Sequence, residues 1–215
     1  DEVWLEKIYV SVPEWTRRIR WHGDVRLRYE GIYFNPDNYT DSRDPSDPSS
    51  LINATTDRNR LRYRARLGLT AEVTNQVEAG FRLATGSTGN PVSTNETVGD
   101  YMNKDSFVLD RAYLKIQPVP SLPETNLWGG RMPNPFFTSS LVWDSDVHFE
   151  GVAADIDFYA AKWFRPFFIG GWFPIQEEEL YQNKYMSAGQ FGFEIKPRMD
   201  LILTLGAAFY DFQHV

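Results

Sequence analysis

The sequence predicts an all-β chain, an antiparallel up-and-down meander forming part of a transmembrane β-barrel, and three observations predict it. Apolar and polar residues alternate with a period of two over several short segments. The connections between those segments alternate between long and short. No stretch approaches the roughly 18 consecutive apolar residues of a membrane-spanning helix, while a mean hydropathy of −0.44 suits barrel strands, whose two faces average to a polar composition.

The first strand is predicted over 21–33, with Val25, Leu27, Tyr29 and Tyr33 on one face and Asp24, Arg26, Arg28 and Glu30 on the other. The clearest alternation runs over 59–72. There Leu61, Tyr63, Ala65, Leu67, Leu69 and Ala71 interleave with Arg60, Arg62, Arg64, Arg66, Thr70 and Glu72. A helix of this sequence would scatter both sets around its axis, so only a strand separates them. Residues 73–75 predict a tight turn into Val77, Ala79, Phe81 and Leu83, set against Glu78, Gly80 and Arg82.

Next, Val108, Ala112, Leu114 and Ile116 are grouped against Arg111, Tyr113 and Lys115, and Pro118, Pro120 and Pro123 bracket a turn into a strand over 127–132. The segment 147–158 reads with Val152, Ala154, Ile156 and Phe158 outward and Asp155 and Asp157 inward. Segment 164–173 is aromatic without clean alternation, and 185–195 pairs with 201–210 across 196–200, giving about nine strands. The long connections, near 35–58, 86–106 and 133–146, all fall at one end of such a meander. That is the asymmetry of outer-membrane barrels, with short periplasmic turns and longer extracellular loops. Aromatic residues cluster at the predicted strand ends, as Tyr33 and Phe34, Phe136 and Phe137, Trp163 and Phe164, and Trp172 and Phe173, where an interfacial belt sits.

Six stretches carry a family likeness: PEWTRRIRWHGDVRLRYEG from residue 13, DRNRLRYRARLGL from 57, RLATGSTGNPVSTNETVGD from 82, LDRAYLKI from 109, GGRMPNPF from 129 and LVWDSDVHFEGVA from 141. In these the chain resembles the putative-porin family of Gram-negative outer membranes. The resemblance implies a barrel through which small hydrophilic solutes or ions cross the outer membrane passively, with no catalytic residues and no required cofactor. It also implies outer-membrane lipid as the surroundings. Members are usually longer than this chain, and bacterial barrels generally have an even strand number. An open sheet leaves edge N–H and C=O groups unpaired in hydrocarbon at several kcal/mol each. The expectation is therefore a segment of a larger barrel, completed by further strands, by a homo-oligomer or by a partner chain.

With the apolar faces outward, the expected pore lining is Arg26, Arg28, Arg60, Arg62, Arg64, Arg66, Glu78, Arg82, Arg111, Lys115 and Arg131. Such a ladder favours anions if it faces a lumen, and is a solvated face cross-paired with carboxylates if it does not. Net charge is −7, so acidic residues must lie elsewhere, and loop 35–58 carries Asp37, Asp41, Asp44, Asp47 and Asp57. Segment 133–146, with Phe136, Phe137, Trp143, Asp144 and Asp146, is the candidate constriction loop. Residues 1–18 are read as a periplasmic N-terminal leader and 19–215 as barrel. The start, Asp1-Glu2-Val3-Trp4, has the look of a chain whose export signal has been removed.

Other chemistries are not signalled. With no cysteine there is no thiolate metal site, disulfide scaffold or cysteine nucleophile. His22, His148 and His214 are too scattered in sequence to suggest a triad or metal site, the loop aspartates match no calcium loop, and Gly86-Ser87-Thr88-Gly89 lacks the lysine of a phosphate loop. The expectation is no enzyme, no cofactor, no metal and no nucleic-acid partner. Two alternatives stand beside the porin: a barrel sheathing a partner such as a multihaem cytochrome, and a secreted soluble β-sandwich that binds carbohydrate.

Overall fold

The structure, a computed structural model, describes residues 13–38, 52–118, 124–198 and 200–215. Most of the expected leader, the centre of loop 35–58 with Asp41, Asp44 and Asp47, and Pro120 and Pro123 lie outside the described residues.

After a 3-10 turn at Glu14–Arg18 the chain forms β1 (Ile19–Ile32), β2 (Arg58–Thr74), β3 (Val77–Thr85), β4 (Glu96–Thr97), β5 (Phe107–Ile116), β6 (Thr125–Met132), β7 (Phe149–Asp157), β8 (Phe164–Gln176), β9 (Lys184–Arg198) and β10 (Leu201–Gln213). All belong to one antiparallel sheet in the order β1-β2-β3-β5-β6-β7-β8-β9-β10, a meander in which each strand neighbours the next. The two-residue β4, expected as plain loop, pairs with β2 beyond the end of β3, Arg62 opposite Thr97. Strand β2 runs to Thr74, so the hairpin turn sits at 75–76, slightly later than the alternation alone places it. The sheet is open, with β1 and β10 as its edges. The three longest connections, 33–57, 86–106 and 133–148, fall at one end of the strands with the shorter 177–183, and the connections 75–76, 117–124, 158–163 and 199–200 fall at the other.

The faces of this sheet differ sharply. On one, Val25 and Leu27 are 78% and 82% exposed, and Leu61, Leu67, Phe81, Leu109, Val152, Phe168, Leu205 and Phe209 share that exposure across the sheet. No second sheet packs on it among the described residues. On the other face the connection 133–148 folds back over the strands, and Met132, Phe136, Phe149, Phe167, Phe173 and Met186 form a small core beneath it. These are the bare and the covered face.

Register explains two departures from the sequence expectation. Arg82 pairs with Arg111 but Leu83 pairs with Leu109, so Asp110 is the extra residue of a bulge. A bulge sets two consecutive side chains on one side. Phe107 and Leu109 are therefore exposed with the bare face while Asp110 is buried, and Val108 does not share the side of Ala112 and Leu114 as expected. In β8 alternation is present but both faces are apolar: Phe167, Ile169 and Phe173 are buried, and Phe168 and Trp172 are exposed. Covering by the folded loop makes an apolar inner face stable there, which hides the period from sequence.

Aromatic residues on the bare side fall into two groups. Trp21 and Phe164 lie toward the turn end, and Tyr29, Tyr33 and Trp172 toward the loop end, while Tyr159 and Trp163 lie in the short connection after β7, the Tyr159 ring under the Arg165 guanidinium. Trp21 and Tyr29 are eight residues apart on β1, about 26 Å at 3.3 Å per residue, or about 20 Å in height after a tilt near 40°. Phe136 and Phe173 are not in either group, because both are buried in the core under the loop, and Phe137 belongs to that loop as well.

Candidate functional site

The covered face of β1–β5 carries the arginines. Strict alternation puts Asp24, Arg26, Arg28 and Glu30 of β1 beside Arg66, Arg64, Arg62 and Arg60 of β2, pair by pair. Like charges directly opposite repel, and the sequence relieves this by staggering carboxylates among the guanidinium groups. Glu30 pairs with Arg60 and with Arg28 at 3.0 Å, and lies 3.9 Å from Arg62. Asp24 bridges Arg64 and Arg66, the latter at 2.6 Å. From the loop, Asp146 reaches Arg66 at 3.1 Å and Arg64 at 4.0 Å, and Thr94 lies 3.5 Å from the same carboxylate.

The bulge completes the cluster. Asp110 pairs with Arg82, and both side chains are nearly fully buried. His148, at the end of the folded loop, takes Arg82 Nη2 at 2.6 Å and Arg111 Nε at 3.2 Å on the same Nε2. Guanidinium groups only donate, so toward both arginines Nε2 is the acceptor; Asp110 Oδ2 lies 3.4 Å from the same nitrogen, and Nδ1 is buried without a partner. Neither Asp110 nor His148 was singled out as a site residue, since Asp110 reaches this face only through the bulge and His148 only through the loop.

The eight arginines Arg26, Arg28, Arg60, Arg62, Arg64, Arg66, Arg82 and Arg111 thus outnumber the carboxylates Asp24, Glu30, Asp110 and Asp146 set among them. Asp24 and Glu30 stand on the arginine face as the alternation of β1 predicts, and Asp110 and Asp146 join them there. Arg26 donates to Asn95 and Arg62 to the Asn95 carbonyl at 2.9 Å, which ties segment 93–97 to the same face. The Nε groups of Arg26, Arg28 and Arg62 remain buried donors with no hydrogen-bond partner.

Four expected residues stand apart from this cluster. Glu78 and Lys115 share the covered face but lie toward the turn end, Glu78 accepting from Tyr113 at 3.2 Å and Lys115 Nζ lying 5.0 Å over the Trp128 ring. Arg131 is not on this face. It pairs with Glu150, directly opposite in register, on the side that carries Ala112 and Val152. Asp144 does not meet the arginines either: its side chain accepts from the Asp146 N–H at 2.8 Å and shapes the loop's turn.

The rest of the expected constriction segment folds against the covered face. Phe136 is 5% exposed and meets Phe149, Phe173 and Tyr210 edge to face, with centroids 5.7, 6.0 and 5.5 Å away. Trp143 packs on Phe149 and Tyr210. Gln190 of β9 clasps the Phe137 backbone, accepting from its N–H at 2.8 Å and donating to its carbonyl at 2.7 Å. The face is therefore charged over β1–β5 and apolar over β6–β10 where the loop rests.

The model of the family described as putative porin matches residues 2–215. The chain belongs to the putative porin family. No curated protein matches it, and no solved structure does. Membership of the porin family suggests an outer-membrane channel, and the single antiparallel meander with its bare apolar face fits that family. No helix among the described residues is long and apolar enough to cross a membrane, which is silent on strands.

Proposed function

We propose that the chain forms the wall of an outer-membrane β-barrel pore through which small hydrophilic solutes and ions diffuse passively, its bare face toward lipid and its arginine face toward a water-filled lumen. The observation that carries this reading is the pairing of faces on one sheet. A soluble protein has no use for a sheet whose Val25, Leu27, Leu67 and Phe209 are all exposed on one side while Arg62, Arg64 and Arg66 are shielded on the other. In lipid the same arrangement is favourable, because apolar side chains meet hydrocarbon and guanidinium groups meet water.

Lipid also requires the edges β1 and β10 to be paired, since unpaired backbone groups in hydrocarbon cost several kcal/mol each. The barrel closes through further strands or a second chain. The short turns, and with them the N-terminal side of β1, lie in the periplasm, and the long loops lie outside. The excess of arginine, together with three unspent Nε donors, biases the lumen toward anions.

Planar-bilayer recordings of the purified protein across a salt gradient test this. Stepwise conductance with a reversal potential on the anion side is expected, and Arg62→Glu with Arg64→Glu moves that potential toward cations. Absence of steps removes the pore; an unmoved potential removes the arginines as its filter and spares the pore.

A further inference from the structure

Beneath the folded loop, toward the turn end of β6–β10, lies a cavity of about 420 Å³. We propose that it is a binding site for a small organic cation, an ammonium or guanidinium group carried on an apolar flank. Neither the family nor the arginine ladder predicts a cation site, and its test does not require the pore reading to hold.

Three carboxylates line the cavity from two strands, Asp155 and Asp157 of β7 and Glu194 of β9, with Arg165 of the intervening β8 between them. Arg165 is already committed, to Asp157 at 2.6 Å and to Glu124 at 3.1 Å. Glu194 has Lys196 at 3.0 Å. Asp155 has no cationic partner among the described residues. Its oxygens take neutral donors, Asn126 Nδ2 at 2.6 Å and the Trp128 indole N–H, which fix the carboxylate in place without cancelling its charge. A held but unneutralised carboxylate in a partly enclosed space is poised for an external cation.

Asn126 supplies the independent sign of a missing ligand. The residue is 9% exposed and lines the cavity, and with its Nδ2 spent on Asp155 its Oδ1 is left buried without any donor. A buried acceptor without a donor is costly, and N–H of an ammonium or guanidinium repairs it while facing Asp155. The flanks match: Trp128 already carries one cation, Lys115, over its ring, and Phe137 and Phe167 supply apolar walls. The Phe167 ring lies across Gly192, where a Cβ would meet it at 2.2 Å, so a glycine is what gives this wall its room. A neutral polyol would use the aromatic walls and the Asn but would leave the Asp155 charge unanswered.

Isothermal titration calorimetry on the detergent-purified full chain, with agmatine as the cation and D-maltose as the neutral comparison, decides the matter without any conductance. Saturable agmatine binding is expected, weakened at least ten-fold by Asp155→Asn, weakened several-fold by Glu194→Gln and reduced by added salt, with no saturable heat from maltose. Each variant is first shown to keep the parent's heat-modifiable gel mobility, and Glu194→Gln carries the test should Asp155→Asn not fold. Agmatine binding that neither substitution weakens, or no saturable agmatine binding, overturns the site, and maltose binding as tightly as agmatine reassigns it to a neutral polyol.

Discussion

The folded loop is held at a few identifiable points, so its release can be put in numbers. Phe136 is buried among Phe149, Phe173 and Tyr210, and truncating a buried phenylalanine to alanine costs about 3–5 kcal/mol. Applied to the loop's own closing equilibrium, that raises the fraction of time spent lifted by a factor of about a hundred to a few thousand, at about 1.4 kcal/mol per tenfold. The anchors that survive Phe136→Ala include the two Gln190 bonds to the Phe137 backbone, at about 1 kcal/mol each. The end of the loop around Phe136, held by about 2 kcal/mol, is lifted for a few per cent of the time, while the Asp146 and His148 contacts keep the other end down. Single-channel records of the parent should then show one level, and those of Phe136→Ala brief excursions to a higher one at about that occupancy. Adding Gln190→Ala should lengthen or multiply the excursions, because it removes the clasp next to Phe136. A folded Phe136→Ala protein whose records match the parent's would show that the loop does not obstruct the lumen, whatever its packing.

Asp110→Ala leaves the buried Arg82 guanidinium without its carboxylate and is expected to destabilise by about 3–5 kcal/mol, read as a lower temperature for loss of the folded band on heating, whereas replacing both partners with apolar residues of similar volume should restore most of that loss. Leu27→Lys places an ammonium on the bare face at a cost of about 2–4 kcal/mol near mid-bilayer and should slow insertion into lipid vesicles. Arg28→Gln, the next residue but on the covered face, should not, and equal defects would mean the faces are assigned wrongly. At the short turns, the Tyr159 hydroxyl donates to Glu124 at 3.0 Å, which holds the phenol above its ordinary range. With the folded value raised, this contact is intact below the ordinary phenol value and is lost as pH rises through the raised one, so Tyr159→Phe should remove one late-titrating phenol from an ultraviolet titration.

Much of this architecture is legible in the sequence, and the failures are local and physical. The ladder Arg60, Arg62, Arg64, Arg66 against Leu61, Tyr63, Ala65, Leu67 states both the strand and its two environments, because a period of two admits one assignment. Asp110 could not be placed that way. One inserted residue reverses the parity of everything before it in β5, and no residue type in FVLDRAYLKI marks where the slip occurs. Arg131 was misplaced for a related reason: Gly129 and Gly130 beside it offer no side chain from which to read a face. Segment 164–173 was obscure because inner and outer residues are alike in polarity, and what makes them alike is a loop some thirty residues earlier in the chain. His148 and Asp146 are site residues only once that loop has folded, so their role is tertiary by nature.

The registers also order the charges along the strands. On β2 the covered face runs from Arg60, Arg62, Arg64 and Arg66 near the long-loop end, through Gly68 and Thr70, to Glu72 opposite Glu78 near the short turns. Across the sheet, Asp155, Asp157 and Glu194 occupy the same turn-end half of their strands. The face is therefore strongly cationic toward one end and carries only a small excess of acids toward the other, where Arg20, Lys115, Arg165 and Lys196 stand among them, with the loop and its core over the middle of β6–β10. Uniform lining would only sort ions by sign. An axial gradient does more, because a solute with separated opposite charges can satisfy both ends in one orientation only, carboxylate toward the arginines and amine toward Asp155. With the pore and the cation site as proposed, the ladder and the site beneath the loop would act on one molecule, and the protein would set the direction in which that molecule enters.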